Sequence, residues 1–150
     1  MDWTLELVVV PVSDVDRAKA FYLDQAGFDL LVDHSAGPEF RVVQMAPPGS
    51  ACAIAFGTGI GQMTPGSLQG LHICVSDIEV ARNELIARGV PVGDTFHFDE
   101  TGTSTPGVDP ERRSYTTFMP FSDPDGNGWL VQEVKRDWRL QQVKIDGAAS

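Results

Sequence analysis

Apolar positions in the first half of the chain change their spacing in a regular order, which predicts one strand, one helix and three further strands. Residues 5–12 form a valine-rich apolar run, which is typical of a buried strand. Apolar residues then recur every three or four positions and predict one helix face: Val15, Ala18, Phe21 and Tyr22. Ser13 or Asp14 can cap this helix and Gly27 can end it. Turn residues separate the further predicted strands, at 28–34, 40–46 and 51–57.

The second half repeats this order after a segment rich in glycine, residues 58–69. A strand at 71–75 precedes Ser76 and Asp77, which can cap a second helix that Gly89 ends. The apolar face of that helix consists of Ile78, Ala81, Leu85 and Ile86. Strands are predicted at 90–98, broken by Gly93, and at 115–121 and 129–134, with a polar loop at 99–114.

The two halves also match residue by residue. Val12-Ser13-Asp14-Val15-Asp16 corresponds to Val75-Ser76-Asp77-Ile78-Glu79 at an offset of 63, and Pro47-Pro48-Gly49-Ser50 corresponds to Pro124-Asp125-Gly126-Asn127 at an offset of 77. This internal repeat predicts an α+β fold with two βαβββ modules, at about 4–57 and 70–135. The modules are expected to form one domain over residues 1–137, followed by a weakly ordered tail at 138–150.

Neither module can bury both its helix-facing side and its free sheet face alone. Two modules side by side are therefore expected to form a curved mixed sheet, with the helices on its convex side and a cleft on its concave side.

Charge and composition exclude several classes of protein. The chain has 150 residues, with 11 Lys or Arg against 21 Asp or Glu, which gives a formal net charge of −10. Nucleic acid and anionic membranes are therefore not expected as partners. No apolar run approaches the roughly 18 residues that span a membrane, and the acidic first residues do not resemble a signal peptide. Two cysteines are too few for a disulfide framework, so we expect a cytoplasmic protein.

Two segments carry a family resemblance. VVVPVSDVDRAKAFYLDQAGF (residues 8–28) and FSDPDGNGWLVQEV (residues 121–134) resemble the vicinal oxygen chelate superfamily. It includes glyoxalase I, extradiol dioxygenases, fosfomycin-resistance enzymes and bleomycin-binding proteins. The resemblance implies paired βαβββ modules around a cleft, in a homodimer. It does not fix the reaction, because one fold can carry many chemistries.

The resemblance also implies four positions at which the family's enzymes hold a divalent metal, typically through His, Gln or Glu. In this chain those positions are Leu7, Ala53, Gly70 and Leu130. None of these side chains can donate to a metal. We therefore expect no conventional metal site and no cofactor.

Strand alternation places other polar groups in the same cleft. If Gly70 faces the cleft, so do His72 and Cys74, and if Leu130 faces it, so does Gln132. His72 is the candidate general acid or base, and Gln132 could polarise a carbonyl group. A hydrogen-bonded core histidine and a buried apolar thiol at Cys74 are the alternatives. The predicted ligand-binding set is Leu7, Val9, Ala53, His72, Cys74, Leu130 and Gln132.

The 99–114 loop is the main departure from the repeat. It could fold over the cleft as a lid, in which case Arg112 would offer positive charge to an anionic ligand. The alternative is a solvated loop whose arginines pair with Asp109 or Glu111. Glu133 is adjacent to Gln132 in the strand and therefore points to the opposite face of the sheet, away from the cleft. An ion pair or a capping contact is expected for it.

Three functions agree with these features. The first is binding of a small organic molecule in the cleft without a conventional metal. The second is an enzyme, either a metal-independent lyase or isomerase with His72 as general acid or base, or a metal-dependent lyase or dioxygenase with a different site. The third is an interaction module whose cleft is filled by side chains.

Overall fold

A computed structural model describes residues 1–135, so the predicted tail at 138–150 lies outside the described residues. In the first half the elements are β1 (Leu7–Val9), α1 (Val15–Ala20) with a π-helical turn (Phe21–Gln25), β2 (Asp29–Ser35), β3 (Arg41–Ala46) and β4 (Ala53–Thr58). In the second half they are β5 (Leu71–Val75), α2 (Ile78–Ala87), β6 (Phe96–Phe98), β7 (Ser104–Pro106), β8 (Thr117–Ser122) and β9 (Gly128–Glu133).

The strands form two mixed sheets, which confirms the α+β class. The first sheet has the order β1-β4-β3-β2 and the second has the order β5-β9-β8-β6-β7. In each sheet the first strand pairs in parallel with the last strand of its module. Within residues 1–135 no strand pairing joins the two sheets, and β1 and β5 are each an edge strand. None of the helices in residues 1–135 is long and apolar enough to cross a membrane.

The helices begin where the repeat predicts. The Asp14 carboxylate accepts a hydrogen bond from the Arg17 amide at 3.0 Å. The Asp77 carboxylate accepts bonds from the amides of Glu79 and Val80 at 3.0 and 3.2 Å. Each aspartate therefore satisfies amide groups in the first helical turn that have no partner inside the helix.

The 90–98 segment departs from its predicted strand. Only Phe96–Phe98 is a strand, and Val92 makes an isolated bridge to Phe121. The following residues are not a simple loop, because β7 pairs with β6 in an antiparallel hairpin at the edge of the second sheet. Part of residues 99–114 therefore extends the second sheet sideways rather than forming a simple loop.

The two halves share one apolar core, and Tyr22 lies at its centre with no exposed surface. The Tyr22 hydroxyl donates to Asp123 Oδ2 at 2.9 Å and accepts a hydrogen bond from Trp129 Nε1 at 3.0 Å. Burial, and next the negative charge of Asp123, raise the pKa of Tyr22 far above its usual value. The hydroxyl therefore stays protonated and joins α1 to the β8–β9 turn.

Replacing Tyr22 by Phe should lower the free energy of unfolding by about 1–3 kcal/mol, because the indole N–H of Trp129 loses its buried partner. Urea unfolding followed by circular dichroism measures this change. Ser35→Ala, which removes an exposed hydroxyl from β2, should change the free energy by less than about 0.5 kcal/mol. Equal stability of the Tyr22→Phe variant and the original chain would contradict a structural role for this hydroxyl.

An ion-pair network fixes α1 on the first sheet. Asp33 in β2 lies 3.0 Å from Arg41 Nη2 and 2.8 Å from Lys19 Nζ. Hydrogen bonds from Arg41, and next from Lys19, hold the pKa of the Asp33 carboxyl well below its usual range. This carboxylate therefore stabilises the folded chain at neutral pH, and its contribution falls only when acid protonates it.

Asp33→Asn should lower the urea midpoint at pH 7, and the difference from the original chain should shrink as the pH falls below about 4. The sign follows from the lowered pKa, because stability gained above the unfolded-state pKa is lost as the pH falls toward the folded-state pKa. Asp29→Asn is the matched control, since Asp29 begins the same strand and forms no ion pair within residues 1–135. A pH-independent effect of Asp33→Asn would refute this assignment.

Candidate functional site

The sheet face that points away from α2 brings four of the predicted site residues together. His72 pairs with Leu130, and Cys74 pairs with Gln132, across the parallel strands β5 and β9. His72 and Cys74 are exposed, and Leu130 and Gln132 are half-buried. The alternating residues on both strands pack in the core: Leu71, Ile73, Val75, Trp129 and Val131. We call the face with His72, Cys74, Leu130 and Gln132 the open face of the second sheet.

Three phenylalanines extend this open face. Phe118 lies opposite Gln132 in the register of β8 and β9, and Phe96 lies opposite Phe118 in the register of β6 and β8. The Phe96 and Phe118 rings stack with their centroids 5.6 Å apart, and Phe98 contacts both rings edge-on. Phe98 remains 39% exposed. The result is an aromatic surface that a flat molecule could cover.

His72 lies at the border of this aromatic surface. Its ring centroid is 6.3 Å from that of Phe118, in an edge-to-face arrangement. Its Nδ1 lies 2.7 Å from the Gly70 carbonyl oxygen. Because a carbonyl can only accept, Nδ1 carries the hydrogen, and Nε2 of the neutral ring is left as an acceptor for a bound molecule.

Gln132 supplies the second polar group of the open face. Its side-chain N–H donates to the Tyr115 carbonyl oxygen at 3.4 Å, which is a long contact. The amide can therefore reorient toward a bound molecule at small cost. The alternative weighed for Cys74, a buried thiol, is wrong: the residue is exposed, because β5 is an edge strand.

The predicted residues of the first half lie on a different sheet. Leu7 pairs with Ala53, and Val9 pairs with Ala55, on the face opposite to the core residues Val10 and Ile54. Ala53 lines a cavity of about 790 Å³ that also includes His72 and Cys74. Leu7, Val9, Leu130 and Gln132 do not line this cavity. The structure thus brings Ala53 near the second sheet and leaves Leu7 and Val9 on the first.

The side chains at the four metal positions of the family do not fit a divalent ion. Leu7 and Ala53 are paired side by side, and Leu130 pairs with His72 rather than with Gly70. An isobutyl group, a methyl group and a glycine offer no electron pair to a metal. No group of three or more His, Cys, Asp or Glu suited to a metal occurs in residues 1–135.

Arg112 lies on the helix side of the second sheet. Its guanidinium contacts Glu133 Oε2 and Glu79 Oε1, each at 2.8 Å. Glu133 is fully buried, and the same Oε2 accepts the Ile78 amide at the start of α2 at 3.0 Å. Glu133 therefore makes both an ion pair and a capping contact, which confirms the expectation for it. A ligand-binding role for Arg112 would require it to leave this carboxylate.

Arg113 pairs with both carboxylates weighed as the alternative, although Asp109 is buried rather than at the surface. Its Nε lies 2.9 Å from Asp109 Oδ2 and 3.6 Å from Glu111 Oε2. The Arg113 hydrogen bond is the main cause that lowers the pKa of the Asp109 carboxyl below its usual range. Both arginines of this segment are thus held by carboxylates of the chain itself.

Comparison with known proteins agrees with the two-module fold. The model of the Glyoxalase/Bleomycin resistance protein/Dioxygenase superfamily matches residues 4–131. The chain belongs to this superfamily. A curated relative, the uncharacterized protein YetH from Bacillus subtilis strain 168, is 31% identical over 130 residues, which cover 84% of this chain and 94% of YetH.

Solved structures of the glyoxalase/bleomycin resistance superfamily share its fold. TnmS3, an antibiotic binding protein from Streptomyces sp. CB03234, is 33% identical with a TM-score of 0.68, and the match covers 89% of this chain and 97% of TnmS3. A glyoxalase/bleomycin resistance protein from Streptomyces sp. CB03234 is 34% identical with a TM-score of 0.66, with coverage of 87% and 100%. Superfamily membership accounts for the paired modules. It does not determine the chemistry, which depends on individual side chains.

Sequence reasoning missed the three phenylalanines of the open face. The alternation Phe96-His97-Phe98 indicates that the two phenylalanines share one face of a strand. It could not be used because the register between β6 and β8 depends on the hairpin that β6 forms with β7.

Arg112→Ala should lower the free energy of unfolding by roughly 2–4 kcal/mol, because the fully buried Glu133 loses its ion-pair partner. A value toward the lower end is expected, since the Arg112 side chain is 34% exposed. Thermal and urea unfolding measure the effect. Arg82→Ala is the control, since its partner Asp94 is fully exposed at 3.6 Å and about 1 kcal/mol or less is expected. Equal effects of the two substitutions would contradict a structural role for Arg112.

Proposed function

We propose that this protein binds a small, flat, apolar organic molecule on the open face of the second sheet, without a metal. The observation that carries this proposal is the aromatic cluster beside His72, in which Phe98 is exposed, Phe96 is half-buried and Phe118 is buried beneath them. A cluster of packed aromatic rings with one exposed member offers a rigid apolar contact with little loss of side-chain freedom on binding.

The relatives support this class of ligand. TnmS3 is an antibiotic binding protein, and it is 33% identical to this chain over nearly the whole of both proteins. Antibiotics are small organic molecules, so a similar role here requires a surface of similar size and polarity. The apolar residues at the metal positions, Leu7, Ala53 and Leu130, favour binding over metal-assisted reactions of the ligand.

The polar groups beside the phenylalanines orient the ligand in this proposal. His72 Nε2 can accept a hydrogen bond from a hydroxyl or amine of the ligand, and the Gln132 amide can pair with a carbonyl. The same unpaired Nε2 is what a metal-independent lyase or isomerase would use as general acid or base. Turnover of a bound compound that disappears in His72→Gln, while binding remains, would favour that alternative.

We also propose a homodimer in the cytoplasm. Large apolar side chains are exposed in the N-terminal segment and on the edge strand β2: Met1, Trp3, Leu5, Leu30, Leu31 and Val32. A second copy that covered them would remove this apolar area from water. The two free cysteines agree with a reducing compartment. Light scattering during gel filtration should give twice the mass of one chain.

The ligand should be sought by calorimetric titration with a panel of small, flat aromatic antibiotics. For a compound that binds, Phe98→Ala should weaken the affinity at least fivefold, because it removes an exposed ring of the aromatic surface. Phe40→Ala is a matched control: Phe40 is 37% exposed and lies 6.4 Å from the His34 ring, in the other module.

Affinity should be unchanged in the Phe40→Ala variant. If both phenylalanine variants bind like the original chain, the ligand does not lie on the open face. If no compound of the panel binds, the proposal of an antibiotic-type ligand fails.

A further inference from the structure

The internal repeat predicts two contacts of the same kind, each between a helix and the turn before the last strand of a module. We call these contacts the helix–turn junctions, and the repeat is broken at one of them. At the first junction α1 packs on the β8–β9 turn, and Tyr22, Asp123 and Trp129 fill the space with hydrogen-bonded groups. The offsets of 63 and 77 give the corresponding residues at the second junction, which are Leu85, Ala46 and Cys52. These three side chains are smaller, and no hydrogen bond joins α2 to residues 47–52 in the described part of the chain.

The smaller side chains leave a cavity between α2, the β3–β4 turn and the free edge of β5. It is the cavity of about 790 Å³ that includes Ala53, His72 and Cys74. Its volume falls within the roughly 300–1,000 Å³ of small-molecule sites. Its apolar walls come from both modules and include Val8, Ile54, Ile73, Leu85 and Trp129. Most of this lining lies on the helix side of the sheets, away from the aromatic surface of the open face.

One unpaired cation lies in the lining of this cavity. Residues 1–135 contain eight Lys and Arg side chains. Seven of them come within 4.0 Å of a carboxylate: Arg17, Lys19, Arg41, Arg82, Arg112, Arg113 and Lys135. Arg88 is the exception within this part of the chain, although the chain carries a net charge of −10.

Arg88 is held in place by its backbone and by a close neighbour. It ends α2, where its amide donates to the Glu84 and Leu85 carbonyl oxygens. Its guanidinium lies directly over Gly27, and a Cβ at Gly27 would overlap it. Glu84 also lines the cavity and is exposed, but it is not within ion-pair distance of Arg88. Arg88 is exposed, and within residues 1–135 no carboxylate pairs with its guanidinium, which leaves the guanidinium available to bind the carboxylate of a ligand.

We propose that this cavity is a second binding site, which takes an apolar molecule carrying one carboxylate group. The apolar part would lie between Leu85, Ile73 and Trp129, and the carboxylate would pair with Arg88. This site differs from the one in the proposed function, because it depends on α2 and the β3–β4 turn rather than on the phenylalanines of the open face, although His72 borders both.

A matched pair of probes tests this site: 1-naphthaleneacetate and its neutral amide, 1-naphthaleneacetamide. Calorimetric titration of the full chain should show that the acid binds. The amide should bind at least tenfold more weakly than the acid. Arg88→Gln should weaken binding of the acid about tenfold and leave the affinity for the amide unchanged, because only the acid pairs with the positive charge. Glu84→Gln should strengthen binding of the acid, since it removes a nearby negative charge that repels the carboxylate.

A cavity-filling variant tests the location. Leu85→Tyr places at the second helix the residue that fills the first junction, and it should abolish binding of the acid. Val80→Tyr is the control on the same helix, because Val80 is 53% exposed and does not line the cavity. Circular dichroism verifies that both variants fold. The acid should also slow alkylation of Cys52, which lines the cavity, as mass spectrometry measures residue by residue.

The proposal is overturned if neither probe binds, if acid and amide bind equally, or if Leu85→Tyr leaves the affinity unchanged. It is also overturned if Phe98→Ala weakens binding of the acid as much as Arg88→Gln does, because the acid would then occupy the open face. Loss of antibiotic binding in Phe98→Ala, with unchanged binding of the acid, would show two independent sites.

Discussion

The buried hydrogen bonds around Asp123 are the constraint on which the rest of the structure depends. The Asp123 carboxylate accepts from the Tyr22 hydroxyl, from the amides of Asp125 and Asn127, and from the Asn127 side chain. Asn127 in turn donates to the Pro11 carbonyl oxygen, 116 residues away. One carboxylate thereby fixes the turn before β9, the start of α1 and the relative position of the two halves. A buried polar group of this kind is stable only when every partner is present.

This constraint determines what β9 can offer for binding. With the turn fixed, Trp129 and Val131 point into the core, so Leu130 and Gln132 must point to the other face. The same alternation buries Glu133 beneath α2, where Arg112 and the Ile78 amide satisfy one of its oxygens. The strand therefore separates a structural ion pair on one face from groups available to a ligand on the other.

Much of this arrangement could be predicted from the sequence, because it depends on local rules. Asp14 and Asp77 cap their helices by the geometry of a single turn, and strand alternation alone separates Gln132 from Glu133. The aromatic surface could not be predicted, because Phe96 and Phe118 meet only through a register that β7 helps to fix. The partners of Arg112 escaped prediction for a related reason, since Glu79 and Glu133 are distant in sequence and meet only when α2 packs on β9.

The unequal filling of the two helix–turn junctions has an evolutionary consequence. A duplicated module begins with two identical junctions, and either one could join the halves. Once Tyr22, Asp123 and Trp129 perform that task at one junction, selection for stability on the other is relaxed. Residues such as Leu85 and Cys52 can then vary at lower cost to folding than Tyr22 or Trp129, so one copy of the ancestral contact preserves the fold while the other copy can acquire new specificity.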